Sequence, residues 1–137
     1  MNIQSVLSNL NKGVYKEAFS RLYGSSEKAQ EYQTKRYIKA VESFSEIFPT
    51  RNDINLYSAP GRTEIGGNHT DHNNGKVLAA SINLDAIAVV SPNSDNMVRV
   101  KSKGHKMNVV DLGDLEPHET NYGNSTAMVQ GVIAGIK

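Results

Sequence analysis

The chain has 137 residues, with 15 lysines and arginines against 14 aspartates and glutamates and a net charge of +1. That length suits one domain, and so small a charge favours neither nucleic acid nor another polyanion as a partner. With 38% hydrophobic residues, no cysteine and no long apolar segment, the composition indicates a folded protein and excludes disulfides, thiolate zinc sites and a transmembrane helix. The polar N-terminus lacks a secretory pattern, so we expect a cytoplasmic protein.

The first 49 residues are predicted to be helical. Apolar residues recur at helical spacing over 3–10 and 14–22, and a glycine follows each segment where a helix would end. A third helix is predicted to begin after the N-cap candidates Ser25 and Ser26 and to end at Pro49. Its buried face is predicted to contain Ala29, Tyr32, Ile38, Val41, Phe44 and Phe48.

From residue 50 the pattern changes to that of β-strands. Residues 54–59 alternate between apolar and polar, and Pro60-Gly61 is expected to end this strand. Further elements are predicted as strands over 77–80, 82–92, 97–102 and 107–112 and as a helix over 125–137 behind an Asn-Ser-Thr cap. Helices followed by a meander of strands and a last helix indicate an α+β fold. We divide the chain into a helical segment, 1–49, and an α+β portion, 50–137.

Polar residues concentrate in a predicted loop, 61–75, that follows directly on a strand. It holds four glycines, one arginine, two acidic residues, two histidines and three asparagines, more polar chemistry than a connection requires. Loops that rigid strands hold in place are common positions for functional sites. We therefore take this loop as the candidate site, against the alternative of a solvated surface loop whose glycines serve its turns.

The spacing within the loop excludes one chemistry and argues against a second. A P-loop requires a lysine where Gly67 stands, so that motif is excluded. The run His69-x-Asp71-His72 resembles half of the motif of binuclear zinc hydrolases, but Gly67 replaces the first histidine, and we predict no metal site.

A sugar site fits these residue types better. An ionised carboxylate such as Asp71 can accept hydrogen bonds from two adjacent hydroxyls, while a neighbouring His or Asn binds a third. Arg62 is permanently charged and forked, which suits a phosphoryl group or a carboxylate that must stay ionised. The loop therefore indicates a sugar site beside an anionic group.

The run Ala59-Pro60-Gly61-Arg62-x-x-x-x-Gly67-x-His69-Thr70-Asp71-x-Asn73-x-Gly75 resembles the galactokinase signature, the first motif of the GHMP kinases. Segments within 77–92 and 130–132 resemble the next parts of that family, so the resemblance covers about 57–137. It implies the α+β N-terminal fold of the GHMP kinases, which is like the second domain of a ribosomal small-subunit protein. It also implies phosphorylation of galactose at its anomeric hydroxyl by ATP with Mg²⁺.

The resemblance assigns roles to four residues. Arg62 would be the catalytic arginine, which stabilises charge near the transferred phosphoryl group and keeps the catalytic aspartate ionised. His69 and Asp71 would hold sugar hydroxyls. Asn68 stands where the family has a glutamate that also touches the sugar. The expected substrate is therefore galactose or a galactose derivative.

The family's serine- and glycine-rich ATP loop, its catalytic aspartate and its C-terminal domain have no counterpart in the chain. We therefore expect the N-terminal part of a kinase, inactive by itself, whose complete form uses ATP and Mg²⁺. The alternative is a non-catalytic, galactokinase-like sugar sensor, which would keep the pocket without the chemistry. The expected partners are a small-molecule sugar and ATP, with neither nucleic acid nor membrane.

Overall fold

The computed structural model describes residues 1–67 and 74–136, which form helices and antiparallel strand pairs. The elements in chain order are α1 (Ile3–Asn11), α2 (Lys16–Tyr23), α3 (Glu27–Ile47), β1 (Asn55–Gly66), β2 (Leu78–Val90), β3 (Met97–Lys101), β4 (Met107–Asp111) and α4 (Ser125–Ile136). A short 3-10 turn at Glu119–Asn121, which was not predicted, precedes α4. The predicted α+β class is confirmed.

Local signals explain the bounds of α3. The Ser26 hydroxyl accepts a hydrogen bond from the Ala29 N–H at 3.2 Å, so Ser26 is the N-cap of the two predicted candidates. Gly24, between α2 and α3, has a φ of 92°, a left-handed conformation that costs glycine little. The helix ends at Ile47, before Pro49, because proline disfavours helical geometry in the residue that precedes it.

The chain divides into two compact units, Met1–Pro92 and Asn93–Lys137. The three N-terminal helices share the first unit with β1 and β2. The division of the sequence into 1–49 and 50–137 followed the change of periodicity and the family resemblance rather than compactness, and it stays a prediction.

The core of the first unit lies between the three helices and the inner face of the β1–β2 pair. Its buried members are Ile3, Val6, Leu10, Phe19, Tyr23, Tyr37, Val41 and Ile54. The predicted buried face of α3 is wrong at Tyr32, which is 65% exposed. Gln33 is buried instead, because it lies on the same helix face as the buried Tyr37 and Val41; its side-chain oxygen accepts a hydrogen bond from Arg36 Nη1 at 3.1 Å.

Two predicted strand boundaries are wrong. β1 does not end at Pro60-Gly61 but continues to Gly66, and the two strands predicted over 77–80 and 82–92 form the single strand β2. β1 and β2 pair antiparallel, with register shifts between Pro60 and Arg62 and between Glu64 and Gly66. An irregular point of this kind tolerates a proline, which has no N–H to give to the ladder.

The second unit consists of the β3–β4 hairpin, the 3-10 turn and α4. The predicted cap of α4 is confirmed, since Asn124 Oδ1 accepts from the Ala127 N–H at 3.0 Å. Gln130 is buried, and its amide nitrogen donates to the carbonyl oxygen of Glu116 at 2.6 Å. Among the apolar residues of α4, Val129 and Ile133 are half-buried, whereas Met128, Val132 and Ile136 are exposed.

Across residues 1–67 and 74–136, no helix combines the length and hydrophobicity required to cross a membrane.

Candidate functional site

Arg62 lies on β1 at a bulge, not in a loop as predicted. Pro60 pairs with Asp85 and Arg62 pairs with Ser81, so three residues of β2, 82–84, oppose the single β1 residue between them. The Arg62 side chain is exposed, and within the described residues it forms no ion pair. Its guanidinium is therefore accessible to an anionic group of a ligand.

Gly61 is the β1 residue that the bulge of β2 covers. A Cβ atom at Gly61 would lie 3.1 Å from the carbonyl oxygen of Leu84 and 3.2 Å from Cδ1 of Ile82. These distances are tighter than ordinary van der Waals contact, so a side chain here would push β2 away. The glycine lets the backbone of β2 approach β1 directly beside Arg62.

Gly67 brings the two ends of the connection between β1 and β2 together. Its φ is 86°, and a Cβ atom there would lie 2.1 Å from the carbonyl oxygen of Lys76 and 2.9 Å from Cα of Val77. Both observations require glycine, since other residues are strained at positive φ and no flexible side chain stands in the way that could yield.

Gly67→Ala is expected to destabilise the first unit by about 2 kcal/mol or more, the sum of left-handed strain and of the backbone shift that the added methyl group forces. The measurement is chemical denaturation followed by circular dichroism. Gly66→Ala is the matched control, because Gly66 has an ordinary φ and open space around its Cβ position. Equal midpoints for the two variants would refute the close approach at Gly67.

The predicted sugar-binding residues Asn68, His69 and Asp71 lie outside the described residues, as does His72 of the zinc-like run. Their roles, and the absence of a metal site in this run, stay predictions.

A buried charged cluster on the inner face of the β1–β2 pair was missed by the sequence analysis. The Asp85 side chain is 3% exposed, and its Oδ1 accepts a hydrogen bond from Arg36 Nη1 at 2.5 Å. Its Oδ2 accepts from the hydroxyls of Tyr23 and Ser58, each at 2.5 Å. Arg36 Nη2 also donates to the Asp85 carbonyl oxygen at 2.7 Å. We call these four residues the Asp85 cluster; they join α2, α3, β1 and β2.

One sequence signal could have revealed this cluster. Asp85 has the same parity in β2 as Ile87 and Val89, which pack on the core. Because alternate residues of a strand share a face, a strand with those two residues inward also directs Asp85 inward. A buried carboxylate requires hydrogen-bond donors, and the sequence does not show which residues bring them.

Burial and hydrogen bonding have opposite effects on the ionisation of Asp85. Burial alone would raise the pKa of its carboxyl group, but hydrogen bonds from Ser58, Tyr23 and Arg36, together with the guanidinium charge, hold that pKa below its usual value. The pKa of the Tyr23 hydroxyl is raised, mainly by burial and next by its hydrogen bond to Asp85. The cluster therefore keeps Asp85 as a carboxylate and Tyr23 as a neutral donor.

Comparison with known proteins finds one family signature that contains β1, β2 and the connection between them. Residues 42–92 match the galactokinase galactose-binding signature. The chain is 31% identical over 100 residues to a galactokinase of Lactococcus lactis subsp. cremoris, which covers 71% of this chain and 25% of that protein. It is 32% identical over 76 residues to a galactokinase of Fusobacterium nucleatum, covering 56% and 18%.

The chain spans about a quarter of the length of the curated relatives that it matches over the longest segments. The comparison with solved structures found no match. The signature and these relatives confirm the predicted resemblance: the chain is similar to the N-terminal part of galactokinases.

Proposed function

We propose that this chain supplies the sugar-binding part of a galactokinase-like enzyme, which phosphorylates the anomeric hydroxyl of galactose or a galactose derivative. The observation that supports this most directly is the match of residues 42–92 to the galactose-binding signature. That segment contains β1 with Arg62 and also Asn68, His69 and Asp71. The N-terminal fold of the GHMP kinases and a cytoplasmic location belong to the same proposal.

Arg62 has the chemistry that the transfer step requires. Phosphoryl transfer depends on positioning and on stabilising the charge that spreads over the phosphoryl oxygens. An exposed guanidinium without an ion-pair partner in the described residues can bind such oxygens in its planar fork. In the proposed reaction Arg62 stabilises this charge and keeps the family's catalytic aspartate ionised.

The sugar and ATP would be held by different parts of the enzyme. Asp71 would accept hydrogen bonds from adjacent sugar hydroxyls, with His69 and Asn68 binding the others. ATP and Mg²⁺ supply the phosphoryl group and neutralise its charge, and magnesium in such sites is held largely by phosphates and water. The described residues contain no group of three His, Asp or Glu side chains that could hold a metal ion, and we assign Mg²⁺ no ligand here.

A chimeric kinase tests the proposal. In it this chain replaces the matching segment of the Lactococcus lactis galactokinase. We expect the chimera to convert galactose and ATP to an anomeric phosphate, detected by phosphorus NMR. The 137-residue chain alone should neither catalyse this reaction nor bind Mg-ATP measurably. A folded chimera that binds galactose and ATP without transfer would instead favour the non-catalytic sugar sensor.

Substrate choice is expected to depend on Asn68. An amide forms a weaker hydrogen bond to a sugar hydroxyl than a carboxylate does, but it can also donate to an acetamido oxygen. Asn68→Glu in the chimera should raise kcat/KM for galactose relative to N-acetylgalactosamine by about tenfold, the difference between a neutral and a charged hydrogen bond. The measurement is a competition assay between the two sugars. An unchanged ratio would show that position 68 does not contact the sugar.

A further inference from the structure

The two halves of the β1–β2 pair differ in how much of them packs against the core. In the half near the helices, inner-face residues such as Leu56 and Val89 pack against the core. Beyond the bulge, residues 62–66 of β1 are exposed. The Asp85 cluster lies at the junction of the halves, because Asp85 is the cross-strand partner of Pro60, which directly precedes the bulge. The cluster therefore ties the strand pair to the helices two residues before Arg62.

A carboxylate at position 85 discriminates between registers of the two strands. Because successive side chains of a strand point to opposite faces, a slip by one residue would move Asp85 from the inner to the outer face. Its carboxylate would then lose the donors on α2 and α3, and the Arg36 guanidinium, which is 26% exposed, would lose its anion. Past the bulge, Ile65 on β1 and Leu78 on β2 are both exposed, so burial of these side chains cannot fix the register there.

We propose that Arg36 and Asp85, together with the hydroxyls of Tyr23 and Ser58, fix the register in which β1 and β2 enter the bulge. Arg36 and Asp85 thereby act as positioning residues for Arg62. The significance of Arg62 rests on the proposed function, whereas the register is a property of this chain alone. The helices α2 and α3, which contribute Tyr23 and Arg36, thus help to set the position of Arg62.

The register can be measured in the 137-residue chain without any ligand. The wild-type chain should show cross-strand proton contacts in NMR spectra between Thr63 and Ala80 and between Glu64 and Ala79, which are partners in the structure. Asp85→Asn should remove these contacts. It should also speed amide hydrogen exchange in 62–66 by about tenfold or more, because local opening becomes easier there than in the helices.

Matched variants separate positioning from general stability. Leu10→Ala opens a cavity in the core without touching the cluster, so it should lower the melting temperature and keep both cross-strand contacts. Arg36→Lys retains the cation and should keep the register, whereas Arg36→Met should lose it. If Asp85→Asn fails to fold, this pair of Arg36 variants carries the test.

Two results would overturn the proposal. Retention of the Thr63–Ala80 contact in both Asp85→Asn and Arg36→Met would show that the cluster does not set the register. A changed register with unchanged kcat in the chimera would show that it does not position Arg62. By contrast, a chimera without transfer activity whose wild-type register is intact would count against the proposed function and leave the role of the cluster in the register standing.

Discussion

Asp85→Asn is expected to destabilise the unit Met1–Pro92 by about 3 kcal/mol, because removing one partner of a buried ion pair leaves the other charge without compensation. We take the lower end of the usual range, since Arg36 retains some contact with water. For a unit of this size, such a loss corresponds to a fall in melting temperature of about 12 °C or more. Calorimetry or thermal circular dichroism measures it.

The controls use charges of the same helix and of the same pair. Glu31→Gln removes an exposed ion pair with Lys35 on α3 and should change stability by less than about 0.5 kcal/mol. In a double-mutant cycle, Arg36→Met should cost far less when Asp85 is already asparagine than in the wild-type background. Additive costs would mean that the two side chains stabilise the fold independently, contrary to the structure.

The same carboxylate predicts how stability depends on pH. The pKa of Asp85 is lower in the folded protein than in the unfolded chain, so the folded state favours its ionised form. Its contribution is therefore complete above the unfolded-state pKa of about 3.9 and is lost as the pH falls through the folded-state pKa. Asp85→Asn should flatten the acid limb of the stability curve. An unchanged acid limb would show that the partners of Asp85 do not lower its pKa in the folded protein.

At alkaline pH, Tyr23 makes stability change with pH in the opposite direction. Its pKa is raised in the folded protein, so the stability that its neutral hydroxyl contributes is present below the ordinary tyrosine pKa of about 10. That stability declines as the pH rises above this value, because the unfolded chain releases the Tyr23 proton more readily than the folded one. The two limbs together bracket the range in which the Asp85 cluster is complete.

Local signals made the helices predictable, whereas contacts distant in sequence decided the strands. The cap at Ser26 and the glycine at position 24 act within a few residues, and both predictions hold. Pro60-Gly61 has the composition of a strand end, but the paired strand β2 carries β1 through it by a bulge. No local pattern reveals such a bulge, because it depends on the register of a partner that lies more than twenty residues away.

In the candidate site, too, the features set by nearby residues were predictable and those set by distant contacts were not. The residue types from Gly61 to Gly75 indicated a sugar site, which stays a prediction, and a resemblance to galactokinases, which the comparisons support. The partners of Asp85 come from α2, α3 and β1 and converge only in the folded chain. Tyr32 shows that hydrophobicity alone does not identify the buried face of a helix, since Gln33 lies on that face and its amide oxygen is satisfied by Arg36.

Arg62→Ala in the chimeric kinase is expected to lower kcat by about a hundredfold or more and to change the KM for sugar much less. This is the behaviour of a group that acts mainly on charge developing in the transition state. Arg62 is exposed and has no ion-pair partner in the described residues, so the melting temperature should stay the same. Activity and stability therefore separate at this position, whereas at Asp85 they fall together.

Two further variants complete the test of Arg62. Arg62→Lys should restore only part of kcat, because an ammonium group retains the charge but lacks the planar fork that binds two phosphoryl oxygens at once. Arg21→Ala on α2 is the matched control, since Arg21 is also exposed and, among the residues described, bonds only Glu17 one turn away. Its kcat should equal that of the unmodified chimera. An alanine variant of Arg62 with unchanged kcat would remove this arginine from the reaction. A rise in KM of the same size at constant kcat would make it a sugar-binding residue instead, because the interaction would then be as strong in the bound substrate as in the transition state.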